Sequence, residues 1–113
     1  MTISPTSRAA LERLYASASA FLRDLEAMEP ESDGSRGAAG NVRRYLAILW
    51  KGWSDDDALA ALKGANLLTT INKGMADSGL DEAERTICEN AFAVFKDASD
   101  AARSLRADAA MAI

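Results

Sequence analysis

Apolar residues recur every three or four positions over two long stretches of this sequence, one near each end. The first stretch comprises Leu11, Leu14, Tyr15, Ala18, Leu22, Leu25 and Met28. The second comprises Ile87, Ala91, Val94, Phe95, Ala98, Ala102, Leu105 and Ala109. This spacing places the apolar side chains on one face of an α-helix, and no run of β-branched residues alternates as a strand would. The sequence therefore predicts an all-α protein.

Capping residues set the predicted limits of the first two helices. Ser4 is suited to cap the first helix, with Pro5 at its first position, where a missing N–H costs nothing. Asn41 is suited to cap the second helix and Gly52 to end it in the left-handed conformation. Between them lies a glycine-rich segment without large apolar side chains. We predict helices over 5–29 and 42–51, joined by a flexible connection at 30–40.

The acidic run Ser54-Asp55-Asp56-Asp57 predicts the start of a third helix, because carboxylates stabilise the positive end of a helix dipole. The apolar pattern changes phase near Gly64 and Asn66, which predicts either a break or one kinked, continuous helix.

The last helix is predicted from a capping box formed by Asp81 and Glu84. The whole chain, 1–113, is predicted to be a single domain. Its fold is predicted to be an antiparallel bundle of four to five helices, over 5–29, 42–51, 55–63, 66–77 and 82–110.

Composition excludes most enzymatic chemistry. The chain contains no histidine and a single cysteine, Cys88, so Ser-His and Cys-His nucleophile pairs are absent and a structural zinc site lacks its usual ligands. The carboxylates of Asp55, Asp56 and Asp57 point about 100° apart on a helix, so they do not converge on one ion. Cys88 lies beside an apolar stripe, as an inert buried thiol does. We predict no enzymatic activity, no cofactor and no metal.

Residues 43–53, RRYLAILWKGW, combine cations with large aromatics. On a helical wheel most aromatics point to one side and most cations to the other, whereas a nucleic-acid surface needs them together. The net charge of −4 also disfavours nucleic-acid binding. Trp, Tyr and Arg are typical of interface hot spots. The same aromatics are equally typical of the core of a small bundle, so the sequence leaves two alternatives, core or interface. The candidate interface residues are Arg43, Tyr45, Trp50 and Trp53.

The leading hypothesis is a small non-enzymatic helical protein that acts by protein–protein interaction, as a regulator, inhibitor or assembly factor. We expect a protein partner, self-association into a homo-oligomer through the last or the second helix, and a cytoplasmic location, since no apolar run is long enough for a signal peptide or a membrane span. The alternative is a small-ligand, nucleotide or anion-binding protein that uses the Gly-rich 34–44 segment with Arg36, Arg43 and Arg44.

Overall fold

The computed structural model describes residues 3–28, 33–70 and 85–111 of the 113-residue chain. Within these ranges every regular element is an α-helix, and no strand occurs. The helices are α1 (Pro5–Met28), α2 (Asp33–Ser54), α3 (Ala58–Leu68) and α4 (Arg85–Met111). The prediction of an all-α protein is confirmed.

The four helices form a ring around one core. Helix α1 packs against α2 and α4, and α3 packs against α2 and α4. The predicted apolar faces of α1 and α4 supply much of this core, and Phe21, absent from the predicted stripe, is among its largest fully buried side chains. Each fully buried side chain of this size stabilises the fold by about 1.5–3 kcal/mol. The largest are Ile3, Leu11, Leu14, Phe21, Leu25, Val42, Leu49, Leu68, Val94 and Leu105.

Polar contacts join both ends of α1 to α4. Near the start of α1, the Ser7 hydroxyl contacts Ser104 and Asp108, which lie near the end of α4. Near the end of α1, the Asp24 carboxylate accepts a hydrogen bond from Asn90, which lies near the start of α4. These contacts hold the two long helices together along their length.

The first helix begins as predicted. Ser4 Oγ accepts a hydrogen bond from the Ser7 backbone N–H at 3.2 Å, and Pro5 is the first helical residue. This is the N-cap geometry expected of serine. The predicted first helix, 5–29, agrees with α1 up to Met28, and residue 29 lies outside the described residues. The predicted last helix, 82–110, agrees with α4 over the described residues, whereas residues 82–84 and the capping box of Asp81 and Glu84 lie outside them.

The second helix begins earlier than predicted, at Asp33 instead of residue 42. Asn41 is consequently an exposed residue within α2 and not its cap. Residues 33–40 of the predicted connection at 30–40 belong to this helix, and residues 30–32 lie outside the described ranges. Ala39 and Val42 are buried in the core. We attribute the extension to this burial, which offsets the roughly 1 kcal/mol that each glycine costs in a helix.

The end of α2 also differs from the prediction, because Gly52 is helical and the helix continues to Ser54. The Asp57 N–H donates to the Gly52 carbonyl at 2.9 Å, and the Asp56 N–H donates to the Trp53 carbonyl at 3.1 Å. Asp56 has a φ of 53°. Together these features form a Schellman motif with Asp56 in the left-handed position. Aspartate is among the few residues other than glycine that tolerate this conformation.

The third helix is capped by Asp57 and not by Ser54. The Asp57 carboxylate accepts hydrogen bonds from the N–H groups of Leu59 at 3.1 Å and Ala60 at 3.3 Å. Helix α3 then continues through Gly64 and Asn66 to Leu68. Of the two predicted alternatives, a break between 55–63 and 66–77 or one continuous helix, the continuous helix is observed up to Leu68. Residues 71–77 lie outside the described ranges.

The two glycines at which a helix end or a break was predicted are instead points of close approach between α2 and α3. A Cβ atom added to Gly52 would lie 2.7 Å from Ala61 Cα, and one added to Gly64 would lie 2.7 Å from Leu49 Cα. Real Cβ atoms essentially never come this close to backbone. Both positions therefore require glycine for packing.

Candidate functional site

Three aromatic side chains form a cluster where α1 meets the end of α2. The ring centroids of Tyr15 and Trp50 lie 5.6 Å apart, those of Tyr15 and Trp53 lie 6.3 Å apart, and those of the two tryptophans lie 5.8 Å apart. Such pairs contribute about 0.5–1.5 kcal/mol each beyond their burial. Tyr15 and Trp53 pack against the core, whereas Trp50 remains 54% exposed.

An open cleft of about 440 Å³ lies beside this cluster, bordered by Arg8, Trp50, Trp53, Ser54 and Asp56. The Arg8 Nη2 atom donates to Asp56 Oδ1 at 2.5 Å, and both side chains are about half exposed. The two charged groups of the cleft therefore neutralise each other. The cleft presents aromatic surface without a net charge.

The structure brings two of the predicted interface residues, Trp50 and Trp53, into one cluster and places the other two along the same helix. Tyr45 is partly buried against the core. Arg43 is exposed, and its Nε atom donates to Glu26 Oε1 of α1 at 3.2 Å. These aromatic residues thus contribute to packing within the chain, with Trp50 as the exposed member.

The arginines within 41–44 of the predicted anion-binding segment do not lie at a helix start, although the sequence suggested that they do. Arg44 is exposed on α2, and the side chain of Arg36 lies outside the described residues. The hypothesis relied on free backbone N–H groups at a helix start near Asn41, but α2 begins at Asp33. Residues 41–44 are thus well inside the helix, where backbone N–H groups are hydrogen-bonded to the preceding turn.

Two carboxylates hold the amino-terminal residues before α1. The Ile3 N–H donates to Asp56 Oδ1 at 3.0 Å, and the Ser4 N–H donates to Asp108 Oδ2 at 3.1 Å. Asp56 belongs to the α2–α3 turn and Asp108 to α4. Both negative charges lie at the start of α1, where the helix dipole is positive. Sequence reasoning missed Asp108 entirely, since its partners are distant in the chain.

The hydrogen bonds of Ser7, which is fully buried, can be assigned completely. An ionised carboxylate only accepts, so the Ser7 hydroxyl donates to Asp108 Oδ2 at 2.6 Å. It then accepts from Ser104 Oγ at 2.5 Å and from Ser4 Oγ at 3.1 Å. The donor and both acceptor positions of Ser7 are used.

The same network affects the titration of Asp108. Burial acts to raise the pKa of this carboxyl, but the hydrogen bonds from Ser7 and Ser4 outweigh it and lower the pKa below its ordinary value of 3.8. Hydrogen bonds to the charged form therefore keep Asp108 ionised. This carboxylate is part of a structural clasp between α1 and α4.

The three carboxylates of the acidic run at 55–57 have different surroundings and make different contacts. Asp57 caps α3, Asp56 binds Arg8 and the Ile3 N–H, and Asp55 is exposed. Over 3–28, 33–70 and 85–111, no three His, Cys, Asp or Glu side chains are grouped so that they could hold a metal ion. The side chain of Cys88 lies outside the described residues.

Helix α4 carries two exposed phenylalanines that have no evident role in the core. Phe92 is 63% exposed and Phe95 is 40% exposed. The neighbouring side chains of Glu89 and Lys96 are exposed as well. We refer to these four residues as the α4 patch. The sequence carried a signal for Phe92, because on the helical wheel this residue lies outside the apolar stripe and about 40° from Lys96, but Phe95 was expected in the core.

Comparisons with protein-family models, with curated proteins and with solved structures find no match to this chain. Of the helices that the structure describes, none combines the length and apolarity needed to cross a membrane.

Proposed function

We propose that this chain is a small non-enzymatic helical protein that acts through protein–protein contacts and associates with itself through the α4 patch. The observation that carries the proposal is the 63% exposure of Phe92, next to the 40% exposed Phe95 and between the charged side chains of Glu89 and Lys96 in the sequence. Removing a phenylalanine side chain fully from water is worth about 1.5–3 kcal/mol. A second copy of the chain that covers the α4 patch gains part of this free energy.

The α4 patch is a better candidate for self-association than the aromatic end of α2. Trp50 is also exposed, but its ring already contacts Tyr15 and Trp53 of its own chain. Tyr45 and Trp53 are partly buried against the core. A partner that covered α2 would therefore gain less new apolar contact per residue than one that covered α4.

The contacts of five charged side chains support a role without catalysis. Asp56, Asp57 and Asp108 hold the backbone at helix starts, and Arg8 and Arg43 bind carboxylates of neighbouring elements. A catalytic site needs titratable groups directed toward a substrate. Here these groups are engaged in holding the fold.

We also propose that the bundle is antiparallel. The contacts of Ser7 with Ser104 and Asp108, and of Asp24 with Asn90, support opposite directions for α1 and α4. The short connection between α2 and α3 supports the same arrangement for that pair.

Light scattering coupled to size exclusion, run over a range of concentrations up to several hundred micromolar, tests the self-association. We expect the mass of the wild-type chain to rise from monomer toward dimer with concentration. Phe92→Ser should remain monomeric over the same range while keeping its helical circular dichroism, because this side chain is mostly outside the core.

Leu59→Ser is the matched control, since Leu59 is an exposed apolar residue, 49% accessible, that belongs to α3 and not to the α4 patch. It should associate like the wild type. A wild-type chain that stays monomeric throughout contradicts the proposal, and so does a Phe92→Ser variant that associates as strongly as the wild type.

A further inference from the structure

We infer that the α4 patch binds the α4 patch of a second copy in antiparallel orientation, with Phe92 against Phe95 and Glu89 paired with Lys96 across the interface. This inference rests on the proposed self-association and specifies its geometry. It follows from the order of charges around the two phenylalanines.

The four residues of the patch share one side of α4. Phe92 and Phe95 are three residues apart, so they lie one turn apart on neighbouring positions. Glu89 and Lys96 are seven residues apart, which places them in nearly the same direction, about 20° from alignment. All four side chains that form the patch are exposed. The patch therefore has an acid at its amino-terminal end, two phenylalanines, and a base at its carboxyl-terminal end.

An antiparallel second copy makes this order complementary to itself. Reversing the direction of one helix brings its Phe92 opposite the Phe95 of the other copy, and its Glu89 toward the Lys96 of the other copy. A two-fold axis repeats each contact, so two aromatic contacts and two ion pairs form together. Glu89 and Lys96 both lie on one side of the apolar seam, and residues on the same side of the seam face each other in an antiparallel pair of helices.

A parallel second copy lacks this complementarity. It would place Glu89 level with Glu89 and Lys96 level with Lys96, so neither charge would meet its opposite. An exposed ion pair changes an association constant by no more than about fivefold. The phenylalanines therefore provide the affinity, and the two ion pairs select the orientation.

Charge reversal tests the pairing. Glu89→Lys and Lys96→Glu each replace two attractive pairs by two repulsive ones, so each should raise the dissociation constant by roughly 3- to 10-fold at low salt. The double variant E89K/K96E restores opposite charges across the interface and should return to within about twofold of the wild type. Sedimentation equilibrium measures all three.

Arg44→Glu is the matched control for Lys96→Glu, since it makes the same change in net charge on an exposed position of α2. It should leave the dissociation constant unchanged. If each single variant associates like the wild type, or if the double variant is weakened as much as the two singles combined, the antiparallel pairing is overturned.

A distance measurement checks the orientation independently. In a Cys88→Ser background, a spin label on Ala107→Cys lies near the end of α4, on an exposed position. In the antiparallel dimer the two labelled backbones should be about 40 Å apart, from 1.5 Å per residue. A parallel dimer would place them within about 15 Å, the separation of two packed helices with their labels.

The two proposals fail in different ways. A wild-type chain that is monomeric at every concentration overturns both the self-association and this geometry. A chain that dimerises, but with short label distances or without the effect of charge reversal, overturns only the antiparallel α4 pairing. A dimer with the long distance and the rescue by charge exchange supports it.

Discussion

The contact between α2 and α3 and the contact between α1 and α4 are built in different ways. The first brings backbones together at Gly52 and Gly64, where an added Cβ atom would lie 2.7 Å from a Cα atom of the facing helix. The second joins two long helices that both bury apolar side chains in the core, Phe21 of α1 and Val94 of α4 among them. It also includes the hydrogen bonds of the buried Ser7 with Ser104 and Asp108.

The difference indicates what each contact tolerates. Where backbones touch, no side chain can yield, so an added methyl group has to move a helix. Where side chains and a polar network meet, an altered group leaves the helices in place but deprives a partner of its hydrogen bond. We therefore expect the α2–α3 contact to be sensitive to volume and the α1–α4 contact to be sensitive to polarity and pH.

The largest effect is expected from adding volume at the α2–α3 contact. Gly64→Ala should lower the free energy of unfolding by about 2–3 kcal/mol, the upper part of the usual range for overpacking, because the facing backbone cannot move aside as a side chain can. Gly52→Ala should have a similar effect. Urea unfolding followed by circular dichroism measures the loss. Gly40→Ala is the control, since an added Cβ there has no neighbour within 4 Å. Equal losses at Gly40 and Gly64 would disprove the close approach.

A smaller effect, dependent on pH, is expected at the α1–α4 contact. Asp108→Asn should lower the free energy of unfolding at pH 7 by about 1–2 kcal/mol, as expected for hydrogen bonds to a charged group. The pKa of Asp108 is lowered in the folded chain. Its charge therefore stabilises the fold above the unfolded pKa of about 4, and this contribution is lost as the pH falls through the lower, folded pKa.

The difference between wild type and Asp108→Asn should accordingly shrink below pH 4 in urea unfolding measured at several pH values. Asp55→Asn removes the same charge at an exposed position and controls for net charge. A deficit of Asp108→Asn that is equal at pH 7 and at pH 3 would argue against an ionised Asp108 in the network.

The cap of α3 should contribute less again. Asp57→Ala removes the acceptor for the N–H groups of Leu59 and Ala60 and should cost about 1 kcal/mol. Asp55→Ala, two positions earlier and exposed, should cost less than about 0.5 kcal/mol. Thermal unfolding of the two variants ranks them. The reverse order would mean that Asp55, and not Asp57, supports the helix start.

The smallest effect is expected to have the opposite sign. Gly37→Ala lies in α2, at an exposed position with open space around an added Cβ. It should raise the free energy of unfolding by about 0.5–1 kcal/mol, since alanine favours a helix over glycine. The same substitution thus stabilises one end of α2 and destabilises the other. A lower free energy of unfolding for Gly37→Ala would contradict a helical conformation at residue 37.

Features that depend on near neighbours were predictable from the sequence. The cap of α1 at Ser4 and the apolar face of α1 depend on residues within four positions along the chain, so the pattern alone identifies them. Asp56 shows where this reasoning stops. Its left-handed backbone ends α2, but its carboxylate binds Ile3 and Arg8, which are about fifty residues away. No local pattern contains that information.

The sequence by itself determined that this protein is helical, where α1 begins, and which faces of α1 and α4 are buried. Only the tertiary structure decided that Gly52 and Gly64 are contacts and not helix ends or breaks, that α2 begins at Asp33, and that Phe95 is exposed. The physical reason is that periodicity and capping arise within one or two turns of helix, whereas the role of a glycine depends on which backbone lies opposite it.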